Sequence, residues 1–237
     1  MLTLFPTAQT GESKVYNFIP YDTEKLFKKH KKIMKSDWPY HKKKVEYRVG
    51  SHGYRCPEFE DIDWSRSVVL FGCSMTYGIG VDEEETVGFH LSKIIDKPVI
   101  NLGLGGTSML FSAVNQMRLY EAGIKPYAVV NIWTSTDRMC EFKDNGNVVH
   151  YLPSGRENLW RKNFVATDAM HQLTLHKFYA GAVKNLWPKS FELSLFEKTS
   201  KLLQIPYIER IDYARDLMHQ GTKTNRLIAE TIVEGLK

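Results

Sequence analysis

Near the first third of the chain an apolar run, Val68-Val69-Leu70-Phe71, ends in Gly72-Cys73-Ser74, and close to the far end Asp216 stands three residues ahead of His219. A serine hydroxyl is a poor nucleophile at neutral pH. It needs a base to take its proton, and the base needs a partner to fix its tautomer. Ser74, His219 and Asp216 supply those three groups. The chemistry they permit is transfer of an acyl group to the serine and from there to water. A serine after a strand also caps helices, and an isolated Asp-x-x-His arises by chance in many chains. What favours chemistry is the place of the pair, after a late predicted strand and just before the last predicted helix.

Such a constellation needs a scaffold that brings positions 74 and 219 together. Residues 68–71 form a short β-branched and aromatic run, as expected of a strand buried on both faces. A helix is predicted over 86–95, with Val87, Leu91, Ile94 and Ile95 on one side, then a strand over 98–102. A longer helix follows over 109–122 with Gly123 as its stop, then a strand over 127–133. Strands separated by helix-length connections imply parallel pairing with right-handed crossovers, hence an α/β three-layer sandwich around a mainly parallel sheet. The expected organisation is an extension over 1–66 that packs on a main domain over 67–237, with an irregular insertion at about 138–188. That insertion holds a predicted hairpin around Asn145-Gly146 and a helix over 168–186. Further along, a helix is expected over 190–203, a strand over 206–208 and a closing helix over 222–236. In an open parallel sheet, ligands bind where loops gather at the carboxyl ends of the strands. The loops at 72–80, 103–108 and 134–138 all fall there.

Composition bounds the rest. With 43% hydrophobic and 25% charged residues among 237, the chain is ordinary for a globular protein with a full core. Cys56, Cys73 and Cys140 lie at wide, irregular spacing, which fits neither a disulfide framework nor a zinc site. No metal and no cofactor is expected. There is no apolar run of roughly 18 residues and no basic leader before an apolar stretch, so neither a membrane span nor a secretion signal is expected, and the expected location is cytoplasmic. The net charge of +5 conceals an asymmetry: Lys25 to Arg55 holds eleven Lys and Arg against Asp37 and Glu46, or +9, which leaves −4 on the remainder. The plain reading of that segment is a solvated helix face, with Leu26, Phe27, Ile33 and Met34 forming part of an apolar stripe. The other reading is a docking surface for an acidic protein partner, and contact with nucleic acid is the weakest of the three. Gly103, Gly105 and Gly106 lack the spacing of a nucleotide-binding loop. Trp133, Trp160, Trp187, Tyr151 and Tyr179 are read as core or loop anchors rather than as a carbohydrate groove, and Asp137-Arg138 as a local ion pair.

Over residues 66–140 and 205–236 the chain resembles the SGNH/GDSL hydrolases, serine esterases and lipases with a flavodoxin-like core. The residues that carry the resemblance are Gly72-Cys73-Ser74 with Met75-Thr76-Tyr77-Gly78 after it, Asn101 to Ser108 with Gly106 as the matching glycine, and Asp216-Leu217-Met218-His219. By that resemblance Ser74 is the nucleophile, His219 the general base and then acid, and Asp216 the orienter. The amides of Ser74 and Gly106 are the implied oxyanion donors. Two positions depart from the family pattern. Thr136, in Thr134-Ser135-Thr136-Asp137, stands where a third oxyanion donor, an asparagine, is usual, and Cys73 replaces the first-block aspartate.

The implied activity is hydrolysis of carboxylic esters, narrowed to a small-acyl, acetyl esterase acting on a saccharide. The competing expectation comes from another class: a catalytically weak SGNH-like structural or binding module of a larger assembly, of phage type and so part of a viral particle, docked through its basic amino-terminal segment.

Overall fold

The computed structural model describes residues 2–5, 11–144, 146–152 and 169–237. Two short strands, β1 (Lys14–Tyr16) and β2 (Tyr47–Val49), pair antiparallel and bracket the basic helix α1 (Glu24–Ile33). Val45, Tyr47 and Val49 are buried while Arg48 is exposed, the alternation of a strand with one buried face. Thr23 caps α1, its hydroxyl accepting from the Leu26 amide at 3.3 Å. The expected apolar stripe of α1 is only half realised. Phe27 and Met34 pack against the buried cluster formed with Trp38, Tyr40 and Tyr47, whereas Ile33 is 66% exposed.

Strand β3 (Val68–Gly72) is buried along its whole length and leads into the single turn α2 (Ser74–Tyr77). Helix α3 (Val87–Ile95), strand β4 (Val99–Asn101), helix α4 (Met109–Glu121) and strand β5 (Ala128–Trp133) follow, as the spacing predicted. Thr86 and Ser108 cap α3 and α4 through their hydroxyls. One detail of α3 differs: Ile94 is 46% exposed, because the face buried against the sheet runs through Val87 and Leu91. A hairpin, β6 (Met139–Phe142) with β7 (Val148–Tyr151), and a helix α5 (Ala169–Lys184) occupy the irregular region. Asn145, Trp160 and Asp168, named in the expectations for that region, lie outside the described residues.

The largest departure follows. Ser190–Ser194 is not helical: it is strand β8, parallel to β5 at the edge of the sheet, and only Glu197–Leu203 is a helix, α6. Phe191, Leu193 and Leu195 share one core cluster, so burial follows a period of two, and the open edge of β5 overrides the local helix preference. Residues 206–208 make no strand of their own. Tyr207 forms a single parallel bridge to Ser194. The chain closes with helix α7 (Thr222–Gly235).

The central sheet is parallel throughout, in the order β4-β3-β5-β8. Successive residues of a strand point to opposite faces. Val68 and Leu70 accordingly join Val87 and Leu91 of α3 and Ile228 and Ile232 of α7 on one side. Val69 and Phe71 join Leu119 of α4, Tyr54, Phe59 and Trp187 on the other. This is an α/β fold with helices on both faces of a parallel sheet, the predicted three layers. The amino-terminal residues bury Tyr40, Val45 and Tyr47 against Tyr77, Ile79 and Leu104, beside the carboxyl ends of β3 and β4.

Candidate active site

At the carboxyl end of β3 the chain passes through extended Cys73 into α2, so that Ser74 is the first residue of a helical turn. The Tyr77 amide donates to Cys73 O at 2.9 Å and the turn ends at Gly78, whose φ of +82° suits glycine alone without strain. Cys73 is 1% exposed and packs with Met75 and Val87, so the residue before Ser74 is part of the core. Two polar side chains tie α2 down. Asn101 Nδ2 donates to Thr76 O at 2.8 Å while its Oδ1 accepts from the Gly103 amide at 3.0 Å, which locks the β4 loop to the turn that carries Ser74. Gln220 Nε2 donates to Met75 O at 2.7 Å from the other side.

Gln220 follows His219, so the same contact sets the imidazole loop against α2. Within that loop, His219 Nδ1 lies 2.5 Å from Asp216 Oδ2, with the carboxylate side chain wholly buried. The other carboxylate oxygen accepts from the amides of Met218 and His219 at 3.1 Å each. A carboxylate held at both oxygens fixes the imidazole orientation and leaves Nε2 to face the cavity. Leu217, between the two, sits at φ +57°, a conformation that a branched residue adopts only where its surroundings impose it.

A further contact beside this loop comes from the far end of the chain. Arg215 precedes Asp216, and its Nη2 donates to Asp22 Oδ2 at 2.6 Å and to Asn17 O at 2.6 Å, with Nε 3.1 Å from both Asp22 oxygens. Both side chains are almost fully buried. The Tyr47 hydroxyl donates to Asp22, the Gly80 amide donates to that hydroxyl at 2.8 Å, and the Arg215 amide donates to Gly80 O at 2.9 Å. The amino-terminal segment is thereby bolted to the backbone beside Asp216.

Ser74, Gly106 and His219 line one cavity of about 120 Å³, completed by Tyr21, Arg138, Leu152 and Met218. Gly106 has φ +79°, and a Cβ there would stand 3.7 Å from Leu152 Cδ1 and 3.8 Å from the Tyr21 hydroxyl, so the walls close directly over the glycine. Among the described residues no hydrogen bond links Ser74 Oγ to His219. In unliganded sites such bonds are often long and tighten only with substrate. Asp216 stands behind His219 rather than in the wall. Thr136 is not among the lining residues. Its hydroxyl is buried with no hydrogen-bond partner among the described residues, and its carbonyl meets His176 Nε2 at 2.8 Å. Asp137 pairs with Lys198 at 3.0 Å and not with Arg138, which corrects the expected local ion pair. Trp133 and Trp187 are buried core anchors, as expected.

Sequence reasoning missed Tyr21, Arg138, Leu152 and Met218 as wall residues. The position of Arg138 just after β5 was the available signal. Tyr21 carried none, because its segment is held at the site by the Asp22–Arg215 pair, whose arginine lies far along the chain.

His150, on β7 near Arg138, is pushed down to about 4 by burial first and the Arg138 charge second. His176 is lowered by burial as well. Their neutral forms are favoured in the folded state, and an unfolded histidine titrates near 6.5. His150 therefore contributes stability that is present above about pH 6.5 and is lost as the pH falls from there toward 4, and His176 acts in the same direction. Urea midpoints measured across that window are expected to fall with pH, and to fall less in His150→Gln.

No protein-family model matches the chain, and no curated protein matches it in sequence. Solved structures resemble it in shape. A carbohydrate esterase family 2 enzyme with a carbohydrate-binding domain, from Corynascus thermopiles (Myceliophthora fergusii), is 12% identical with a TM-score of 0.46, over 72% of this chain and 65% of that one. The acetyl xylan esterase Est2A from the rumen bacterium Butyrivibrio proteoclasticus is 10% identical with a TM-score of 0.46, over 73% and 64%. The chain thus spans just under two thirds of the length of both carbohydrate esterases. A lipolytic protein of the G-D-S-L family from Veillonella parvula DSM 2008 is 11% identical with a TM-score of 0.43, over 71% and 96%. Two of these neighbours are described as carbohydrate esterases and one as a lipolytic protein of the G-D-S-L family, and at these values the likeness is one of chain path and carries no argument about chemistry.

Proposed function

We propose that the protein is a serine hydrolase that cleaves carboxylic esters. The observation that carries this reading is the convergence of Ser74, Gly106 and the Asp216-held His219 on one small cavity. In the proposed reaction His219 Nε2 takes the Ser74 hydroxyl proton as Oγ attacks the ester carbonyl. The amides of Ser74 and Gly106 donate to the oxyanion that forms, where such donors have their largest effect. The tetrahedral species collapses, the C–O bond to the alcohol breaks, and His219 returns the proton to the leaving alkoxide. Water, deprotonated by the same nitrogen, then attacks the acyl-serine and frees the acid.

The cavity, about 120 Å³, is small, which supports a short acyl group. An acetyl ester on a saccharide, the bulky alcohol remaining outside, is the simplest such substrate. The test is labelling of the full chain with a fluorophosphonate, beside Ser74→Ala. Labelling that depends on Ser74, with turnover of a short-chain aryl ester, is expected. A folded protein that takes no label would overturn the reading.

The basic segment favours a second reading at another place. No residue of α1 is buried, and its lysines stand in solvent, so this face suits an acidic partner. Reversing the charge of Lys28, Lys29, Lys31 and Lys32 is expected to abolish capture by such a partner while Ser74→Ala retains it.

A further inference from the structure

Among the described residues that line the cavity, Arg138 is the one with a permanent charge, and none is a carboxylate. Its Nη1 is buried and has no hydrogen-bond partner among the described residues. The neighbouring carboxylate that would neutralise it, Asp137, is turned to Lys198 instead. The guanidinium lies over the Phe196 ring, 5.8 Å from its centroid, which holds the plane without occupying its donors. His150, the titratable group beside it, is kept neutral and offers no negative charge. A buried guanidinium donor left unsatisfied is costly, and a carboxylate is the group its fork fits.

We infer that Arg138 determines specificity by binding a carboxylate on the substrate, so that the preferred ester has a short acyl chain ending in a negative charge. This rests on the proposed hydrolase reading. With Ser74 and Gly106 holding the carbonyl and a saccharide-sized alcohol too large for the cavity, the acyl chain is the part that lies alongside Arg138. A plain acetyl group would leave the guanidinium unpaired, whereas a dicarboxylic half-ester satisfies it.

The test compares mono-4-nitrophenyl succinate with its methyl ester, which has nearly the same shape and no charge. The wild-type chain is expected to show a kcat/KM at least tenfold higher for the acid. That ratio is expected to fall at least tenfold in Arg138→Gln and to be partly kept in Arg138→Lys. A wild-type preference for the methyl ester overturns the inference with no variant needed, as does a ratio unmoved in Arg138→Gln. If neither compound is turned over, the hydrolase reading has failed, and Arg138 is judged by calorimetric binding of the two compounds to the full chain. Tighter binding of the acid that is lost in Arg138→Gln supports the carboxylate site, and equal binding overturns it.

Discussion

In Ser74→Ala, turnover of a short-chain aryl ester is expected to drop by about 10⁵- to 10⁶-fold, the scale seen when a nucleophile acting as part of one unit is removed. The fold is expected to survive. Ser74 lies 3% exposed at the start of a four-residue turn whose anchors, Asn101 and Gln220, bond to the backbone of Thr76 and Met75 and not to the serine. The graded partner of this experiment is Asp216→Asn. The amide oxygen can still accept from the Met218 and His219 amides, but its NH₂ then faces His219 Nδ1 and forces the proton onto the nitrogen that must act as base. A loss of about 10⁴-fold is expected there. Equal activity of wild type and Ser74→Ala would remove the serine from the mechanism.

Asp22→Ala is expected to produce the largest loss of stability of any single surface-remote change. It leaves the Arg215 guanidinium buried, 3% exposed, and unpaired, which typically costs about 3–5 kcal/mol. For a chain of this size that corresponds to a fall in Tm of about 6–20 °C. Because Arg215 adjoins Asp216, kcat is expected to fall together with the thermal midpoint. The double variant Asp22→Leu with Arg215→Met replaces the ion pair by apolar groups facing Phe18 and Phe27. It is expected to be more stable than Asp22→Ala, and a double variant no better would mean that the pair does not act as a unit.

The parallel core was legible because β3 is an unbroken apolar run and helix-length connections separate β3, β4 and β5. Ser190–Ser194 was not, since Glu, Leu and Ser serve either state locally and only the vacant edge of β5 decides between them. The same distinction holds at the site. Ser74, Gly106 and His219 sit on loops whose place at the strand ends follows from topology, and they do line one cavity. Thr136 was expected in the oxyanion hole by resemblance, yet it is not among the described residues that line the cavity, while Arg138, two residues on, is. Which side chain of a loop turns inward depends on packing against α5 and α6, and nothing in residues 134–138 records that packing.

The Asp22–Arg215 pair also has a meaning in time. Its members are 193 residues apart, so a ribosome adding roughly 5–20 residues per second makes the arginine about 10–40 s after the aspartate. Until then the early carboxylate has no cation to close upon, and α7, which covers one face of the sheet, has not been made. The loop that carries Asp216 and His219 can therefore close on Asp22 only well after that aspartate has been made.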